Sequence, residues 1–294
     1  MSERAARELP ALIQLFRPRQ QVKNGLVFVA PVLAGIDWDA RAVGLVGGAF
    51  AALVLATAAT YTFNDLRDRH IDVAHPTKAA RPIARGAIRP RVAVLFSVVA
   101  ALGSIAVATY VNDSTLLVVI AYLMLTTSYS MGMKHVPVVE LVIVSLGFVL
   151  RILAGATAVS VGVTDWFLIV IGSGALMVIT SKRESEDRRV REEGGTARGV
   201  LAGYSPGFFA AVRGAATAVV ITTGFIATFS RAHEASVSLP LQASVIPFAI
   251  VILEFNRLSF RYGAESPEHV AYSSRVIQLS GLAWVLLVIW GVYG

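Results

Sequence analysis

The hydrophobic positions of this chain fall into long unbroken runs, not into the alternation of a half-buried strand or the single stripe of a surface helix. Runs of about 20 apolar residues suffice to cross a bilayer at 1.5 Å rise per residue. Such runs recur at 22–38, 43–63, 92–111, 115–131, 137–161, 166–182, 208–230, 238–257 and 275–293. The pattern predicts an all-α fold, a polytopic membrane protein with nine transmembrane helices around a central cavity. The first run is the least regular, because Lys23 and Asn24 open it and Pro31 interrupts it. Proline is accommodated in a membrane helix where neighbours satisfy the freed carbonyl. Polar residues gather in two long loops, 64–91 and 183–207, while the opposite loops at 37–42, 112–114 and 162–165 are too short to hold chemistry. The expected organisation is a single transmembrane domain, residues 1–294, capped over its functional site by the two long loops.

Composition agrees with a bilayer environment. Hydrophobic residues make up 55% and charged residues 15%, with a mean hydropathy of +0.67; soluble domains carry about 25% charged residues. The chain has no cysteine, which excludes disulfides and thiolate metal sites. The first 24 residues hold five basic residues and no apolar core of the length a cleavable signal peptide needs, so none is expected.

The net charge of +7 could suggest a nucleic-acid partner, but its distribution excludes one. Of the 26 Lys and Arg, 23 lie in alternate loops, on the side that also carries the two long loops. That asymmetry is the positive-inside bias of a membrane protein. It places the N-terminus in the cytoplasm and the C-terminus outside, and it fits an odd number of spans. The partner that composition does require is the lipid bilayer; a homo-oligomer is compatible with it.

The second apolar run ends in Asn64-Asp65-Leu66-Arg67-Asp68-Arg69-His70-Ile71-Asp72. If the helix continues past the membrane surface, offsets of three and four put Asp65, Asp68 and Asp72 on one face. Three stacked carboxylates repel one another unless a cation lies between them. Mg²⁺ suits them, because it takes oxygen ligands and is commonly held by one or two carboxylates plus substrate phosphates. The plain alternative is a solvated helix end whose aspartates pair with Arg67 and Arg69. Against it stands the sequel, His75-Pro76-Thr77-Lys78 and Arg81-Pro82-Ile83-Ala84-Arg85-Gly86. Cations beside metal-binding carboxylates suit a multiply phosphorylated ligand, with arginine holding phosphate oxygens bidentately.

N-D-x-x-D-x-x-x-D followed by P-x-x-x-x-R-P-x-x-x-G resembles the first signature of the UbiA superfamily of intramembrane prenyltransferases. R-P-x-Q-x-x-K-N at Arg17–Asn24 and L-R-x-L-A-G at Leu150–Gly155 are similar to further segments of that family. The resemblance implies nine transmembrane helices, two cytoplasmic acidic motifs and Mg²⁺-dependent chemistry on a pyrophosphate substrate. On that basis Asp65, Asp68 and Asp72 are expected to hold the metal, with Asn64 beside them.

The second motif departs from the usual D-x-x-x-D of the superfamily. Here the sequence reads Ser181-Lys182-Arg183-Glu184-Ser185-Glu186-Asp187, so cations replace part of the acidic motif. Fewer metals and more anionic substrate charge are expected there. The K-R-x-x-E pattern, with Tyr129-Ser130-x-x-Met133-Lys134, resembles one branch of the superfamily. In that branch phosphoribosyl pyrophosphate is the donor and a polyprenyl phosphate such as decaprenyl phosphate the acceptor. The resemblance implies a phosphoribosyltransferase of a bacterial plasma membrane, with its site facing the cytoplasm, that serves cell-wall arabinan precursor synthesis. Its acidic residues are Asp65, Asp68, Asp72 and Glu186. Lys23, Asn24, Lys78, Arg81, Arg85, Tyr129, Ser130, Lys134, Lys182 and Arg183 are candidates to touch phosphate or ribose. Two alternatives stay open: a prenyltransferase that joins a prenyl pyrophosphate to an aromatic acceptor, and a transporter.

Two charged residues lie within the fifth run. Glu140 and Arg151 are 11 residues apart, about three helical turns or roughly 16 Å, and on one face. They cannot pair with each other at that distance. Ionisable groups in a membrane span usually face a cavity or a partner, so this face is expected to line the cavity, Glu140 toward the cytoplasmic site and Arg151 deeper. A structural salt bridge to another helix is the competing role for Arg151.

Overall fold

The structure, a computed structural model, describes residues 10–74, 77–193, 199–234, 239–262, 270 and 272–293. His75 and Pro76 of the first loop, and residues 194–198 of the second, lie outside the described residues. All regular structure among the described residues is helical. The N-terminal part consists of α1 (Ala11–Leu15), α2 (Pro18–Gln21), a 3₁₀ stretch over Val22–Phe28 and α3 (Val29–Ala34). Then follow α4 (Ala40–Asp72), α5 (Pro90–Val111), α6 (Asp113–Met131), α7 (Val139–Ala158) and α8 (Asp165–Glu193). The last four are α9 (Phe208–Glu234), α10 (Leu239–Ala243), α11 (Val245–Tyr262) and α12 (Arg275–Tyr293).

Eight helical segments among the described residues are long and apolar enough to span a membrane, the seventh being Leu239–Phe260. The expected first span is different, because residues 22–34 divide between the 3₁₀ stretch and α3.

Local signals account for several helix ends. The Asp39 carboxylate accepts from the Ala42 N–H at 2.7 Å and caps α4, a contribution of about 0.5–2 kcal/mol. Pro90 occupies the first turn of α5, where its missing N–H costs no helical bond. The Asn112 side chain accepts from Thr115 N at 2.8 Å to open α6, and donates to the Thr157 carbonyl at 2.9 Å. One asparagine thus starts one helix and ties it to the end of another.

The chain divides into two compact units. The first comprises residues 1–32, 36–133 and 150–161, and the second residues 33–35, 134–149 and 162–294. Helix α7 gives its first half to the second unit and its second half to the first. The core of the first unit is built from small residues. Ala49, Ala52, Ala56 and Ala59 of α4 are buried, as are Ala93, Ala100, Ser104 and Ala108 of α5. Their three- and four-residue spacing lets the two backbones approach closely, which replaces the hydrophobic drive absent inside lipid. The second unit packs Met177 of α8, Ala216 of α9, Phe255 and Leu258 of α11 and Ile277 of α12 into one cluster. Its other cluster joins Leu141 to Val200, Leu201, Tyr204 and Phe209.

Candidate active site

Helix α4 runs unbroken through Asp72, so the condition for stacking the three aspartates on one face is met. Asp65 and Asp72, two turns apart, are both buried, and a single atom joins them. Arg81 Nη1 donates to Asp65 Oδ1 at 2.8 Å and to Asp72 Oδ2 at 2.7 Å. Arg17 forms a second ion pair with Asp65, and its guanidinium stacks 4.7 Å from the centre of the Tyr61 ring. Asp68 is half-buried and accepts from Asn64 Nδ2 at 3.0 Å.

Arg81 reaches the helix end because its loop is folded, not loose. Ile83 and Ile88 are buried with Leu15 and Ala93, against Leu66 and Phe96. Gly86, at φ +75°, makes the turn between the two isoleucines. Lys78 opens a 3₁₀ turn over Lys78–Ala80 just before Arg81. Arg85 is exposed and donates to Gln14 Oε1 at 3.3 Å.

Deeper in the first unit a polar network is closed off from solvent. Arg151 Nε donates to Asn24 Oδ1 at 2.8 Å, and Nη2 donates to the Tyr122 hydroxyl at 2.7 Å. The guanidinium lies 4.9 Å from the centre of that same ring. Asn24 Nδ2 donates to Gln21 Oε1 at 2.7 Å and to Thr57 Oγ1 at 3.2 Å. Five elements therefore meet at Asn24 and Arg151. Lys23 is half-buried one residue before Asn24. On α6, Tyr129 is half-buried, and buried Ser130 donates to the Thr126 carbonyl at 3.0 Å.

The second unit carries its own charged cluster. Arg183 Nη2 meets Glu140 Oε2 at 2.6 Å, Nε meets both Glu140 oxygens at 2.9 and 3.0 Å, and Nη1 meets Glu186 Oε2 at 2.7 Å. Lys182 is half-buried beside it, and Lys134 sits in a 3₁₀ turn over Met133–His135. The Tyr204 hydroxyl accepts the Val138 N–H at 2.7 Å just before α7 begins. Burial pushes the Tyr204 hydroxyl above its ordinary value, and the negative charge of Glu140 acts in the same direction. It therefore remains protonated throughout the neutral range.

Ten of the 17 candidate residues fall into three constellations, and Lys23, Lys78, Arg85, Tyr129, Ser130, Lys134 and Lys182 stand outside them. Asn64, Asp65, Asp68, Asp72 and Arg81 gather at the end of α4. Asn24 and Arg151 share one buried network, and Glu140, Arg183 and Glu186 form a triad. Glu140 and Arg151 belong to different networks, as their separation along α7 requires. Arg17, Tyr61, Thr57, Tyr122 and Tyr204 were not among the candidates. Arg17 opened the R-P-x-Q-x-x-K-N segment, in which only Lys23 and Asn24 had been given roles.

The arrangement is that of a helix-borne acidic site faced by guanidinium groups, within a bundle of membrane helices. A family model described as the UbiA prenyltransferase family matches residues 26–265. The chain belongs to that family.

Two UbiA-type relatives match over nearly their whole length. A decaprenyl-phosphate phosphoribosyltransferase of Mycobacterium tuberculosis is 35% identical over 298 residues, covering 98% of each chain. One of Corynebacterium glutamicum is 34% identical over 287 residues, 96% of this chain and 86% of that one. Among solved structures, a UbiA homologue from Archaeoglobus fulgidus bound to GPP and Mg²⁺ superposes with a TM-score of 0.72 at 18% identity. It covers 96% of this chain and 98% of that one. At that identity the likeness carries the fold alone. A second UbiA homologue, from Aeropyrum pernix, superposes at 0.68.

Whether the acidic end of α4 suits a divalent ion is decided by its own donor atoms. Among the described residues no three acidic or histidine side chains stand grouped to hold a metal. Asp65 and Asp72 meet at Arg81 instead. The donor set still fits Mg²⁺, since it consists of carboxylate and amide oxygens without sulfur or a histidine pair. Arg81 puts a positive charge between Asp65 and Asp72, where the carboxylates would otherwise repel. Arg81 is about a quarter exposed, while both of its carboxylate partners are buried.

Proposed function

We propose that this protein transfers the 5-phosphoribosyl group of phosphoribosyl pyrophosphate to a polyprenyl phosphate, decaprenyl phosphate by analogy, and releases pyrophosphate. The observation that carries the reading is the 35% identity, over 98% of both chains, to a decaprenyl-phosphate phosphoribosyltransferase. The K-R-x-x-E second motif in place of D-x-x-x-D supports the same branch over a prenyltransferase. A product of this kind serves cell-wall arabinan synthesis.

In this mechanism Asp65, Asp68 and Asp72 would hold Mg²⁺, which would neutralise the pyrophosphate and make it a better leaving group. Arg81 and Arg17 turn from Asp65 and Asp72 to phosphate oxygens, and Lys78, Arg85, Lys134 and Lys182 supply further positive charge for phosphates. The C1–O bond to pyrophosphate breaks, with the electron pair leaving on the pyrophosphate oxygen. A phosphate oxygen of the acceptor forms the new bond to C1. That oxygen is already anionic near pH 7, so no strong general base is needed. Glu186 is assigned to the positive charge that develops on the ribose ring.

The same reading covers topology. Residues 18–34 are helical without a break. The apolar residues 25–34 within that stretch support a ninth, shorter span. Nine spans with the positive-inside bias put the N-terminus and the acidic site in the cytoplasm, in a plasma membrane. The uninterrupted match over residues 26–265 supports treating the chain as one catalytic domain.

The test is to incubate purified protein with Mg²⁺, polyprenyl phosphate and radiolabelled phosphoribosyl pyrophosphate, and to count the lipid fraction. Label in the lipid is expected. Absence of label, together with reaction of a prenyl pyrophosphate with an aromatic acceptor, overturns the reading in favour of a prenyltransferase.

A further inference from the structure

The Arg183 side chain is enclosed by its own protein partners. All three of its nitrogens donate to Glu140 or Glu186, and the side chain is 3% exposed. Its principal partner, Glu140, is 0% exposed. Turning Arg183 toward a phosphate would leave a carboxylate in a low-dielectric interior without its counter-charge, which is strongly unfavourable. Arg81 also neutralises buried carboxylates, Asp65 and Asp72, but it is 24% exposed, and Asp65 keeps a second guanidinium in Arg17. The two arginines therefore differ in how far they are enclosed.

Glu140 is itself held in place from behind. Val138 has φ +66°, a left-handed conformation that a β-branched residue adopts only when its surroundings impose it. The buried Tyr204 hydroxyl takes the Val138 N–H at 2.7 Å, and α7 starts at the next residue. The first turn of α7 thus presents Glu140 at a fixed position. Arg183 bridges from that anchor to Glu186, three residues along its own helix. A lysine at 183 could retain the charge, yet it could not form the planar fork that meets both carboxylates at once.

We propose that Arg183 is a positioning residue, anchored on Glu140, that holds Glu186 in one orientation, and that it is not a phosphate ligand. The inference rests on the catalytic role assigned to Glu186 above.

A double-mutant cycle in the full-length purified protein tests this. Glu186→Gln alone should lower kcat by roughly 10²-fold, the scale of removing one electrostatic stabiliser. Arg183→Lys should lower kcat to a similar degree while both substrate KM values stay within about twofold, because it acts through Glu186 and not on substrate. In the Glu186→Gln background, Arg183→Lys should then cost less than about threefold more. A phosphate ligand would give the opposite pattern, a KM rise of tenfold or more that multiplies with Glu186→Gln, and that result overturns the proposal. So does wild-type activity of either single variant. If Arg183→Lys does not yield a monodisperse protein, Glu140→Gln takes its place in the cycle, since the amide keeps one acceptor for the guanidinium. If the wild type proves to transfer a prenyl group, the functional reading fails. The cycle is then run on that activity, where additivity still overturns the positioning role and non-additivity still upholds it.

Discussion

A Cβ placed on Gly155 would lie 1.8 Å from the carbonyl oxygen of Val27 and 2.7 Å from its carbonyl carbon. Helix α7 therefore touches the 3₁₀ stretch backbone to backbone, with no side chain between. Arg151, one turn before Gly155, donates to Asn24 in the same stretch. One bare contact and one buried hydrogen bond fix the segment whose preceding residues carry Arg17 to Asp65. Gly155→Ala should cost about 1–3 kcal/mol, the usual cost of overpacking, because backbone cannot yield as the tip of a side chain can. The expected outcome is a lower melting temperature in detergent together with reduced turnover. A variant with wild-type stability and activity would show that this contact positions nothing.

Arg81 meets Asp65 and Asp72 through one nitrogen. Arg81→Gln removes a charge that keeps two buried carboxylates apart, so the protein without divalent ion should melt several degrees lower than wild type. Mg²⁺ should restore more of that loss in the variant than it adds to the wild type, since binding to the folded state stabilises by mass action. The donor KM should rise at the same time. Thermal shift in the presence and absence of Mg²⁺ reads the first effect, and donor titration the second. Equal Mg²⁺ shifts in both proteins would count against metal binding at these aspartates.

Asp68 is the least enclosed of the three acids and accepts a hydrogen bond from Asn64 one turn earlier. Asp68→Asn is nearly isosteric and adds no buried charge defect, so the fold should be kept. Turnover should fall roughly 10²–10³-fold if its charge acts on the bound ion and leaving group. Size-exclusion behaviour and initial rates measured side by side decide the matter. Unchanged turnover would remove Asp68 from the site.

The helices and the acidic face were legible because both depend on local spacing. Apolar runs of bilayer length locate the membrane-length helices, although α4 continues past residue 63 to Asp72, α8 past 182 to Glu193, and the run 238–257 divides into α10 and α11. The offsets of Asp65, Asp68 and Asp72 become one face as soon as α4 continues beyond the membrane. The partners of those acids were less legible. Arg17 is 48 residues from Asp65, and Asn24 is 127 residues from Arg151. No periodicity relates positions so far apart; only the packing of separate elements does. The first span differs in form from a continuous α-helix for another reason. Its apolar run has the length of a membrane helix, but whether residues 22–28 wind as α or 3₁₀ depends on the backbone approach at Gly155 and the hydrogen bonds of Asn24. Arg183 shows the same lesson in charge. In the sequence it is one more cation beside Lys182, and only the buried Glu140 separates the two.

The alkaline limb of stability should depend on Tyr204. Its hydroxyl sits above the ordinary phenol value of 10.0 through burial, with Glu140 adding to the effect. In the unfolded chain the phenol ionises near pH 10, while in the folded protein it keeps its proton to higher pH. Above about pH 10 the unfolded state therefore binds fewer protons, and stability falls as pH rises toward the folded-state value. This contribution is fully present at pH 8. Tyr204→Phe removes the ionisation and also deletes the acceptor for the Val138 N–H. The variant should thus melt lower than wild type at pH 8, yet lose less between pH 9 and 11. Parallel melting curves across that range would place the Tyr204 proton outside the stability of this loop. A shallower slope for the variant, from a lower start, is the outcome expected of a buried phenol that holds the entrance to α7.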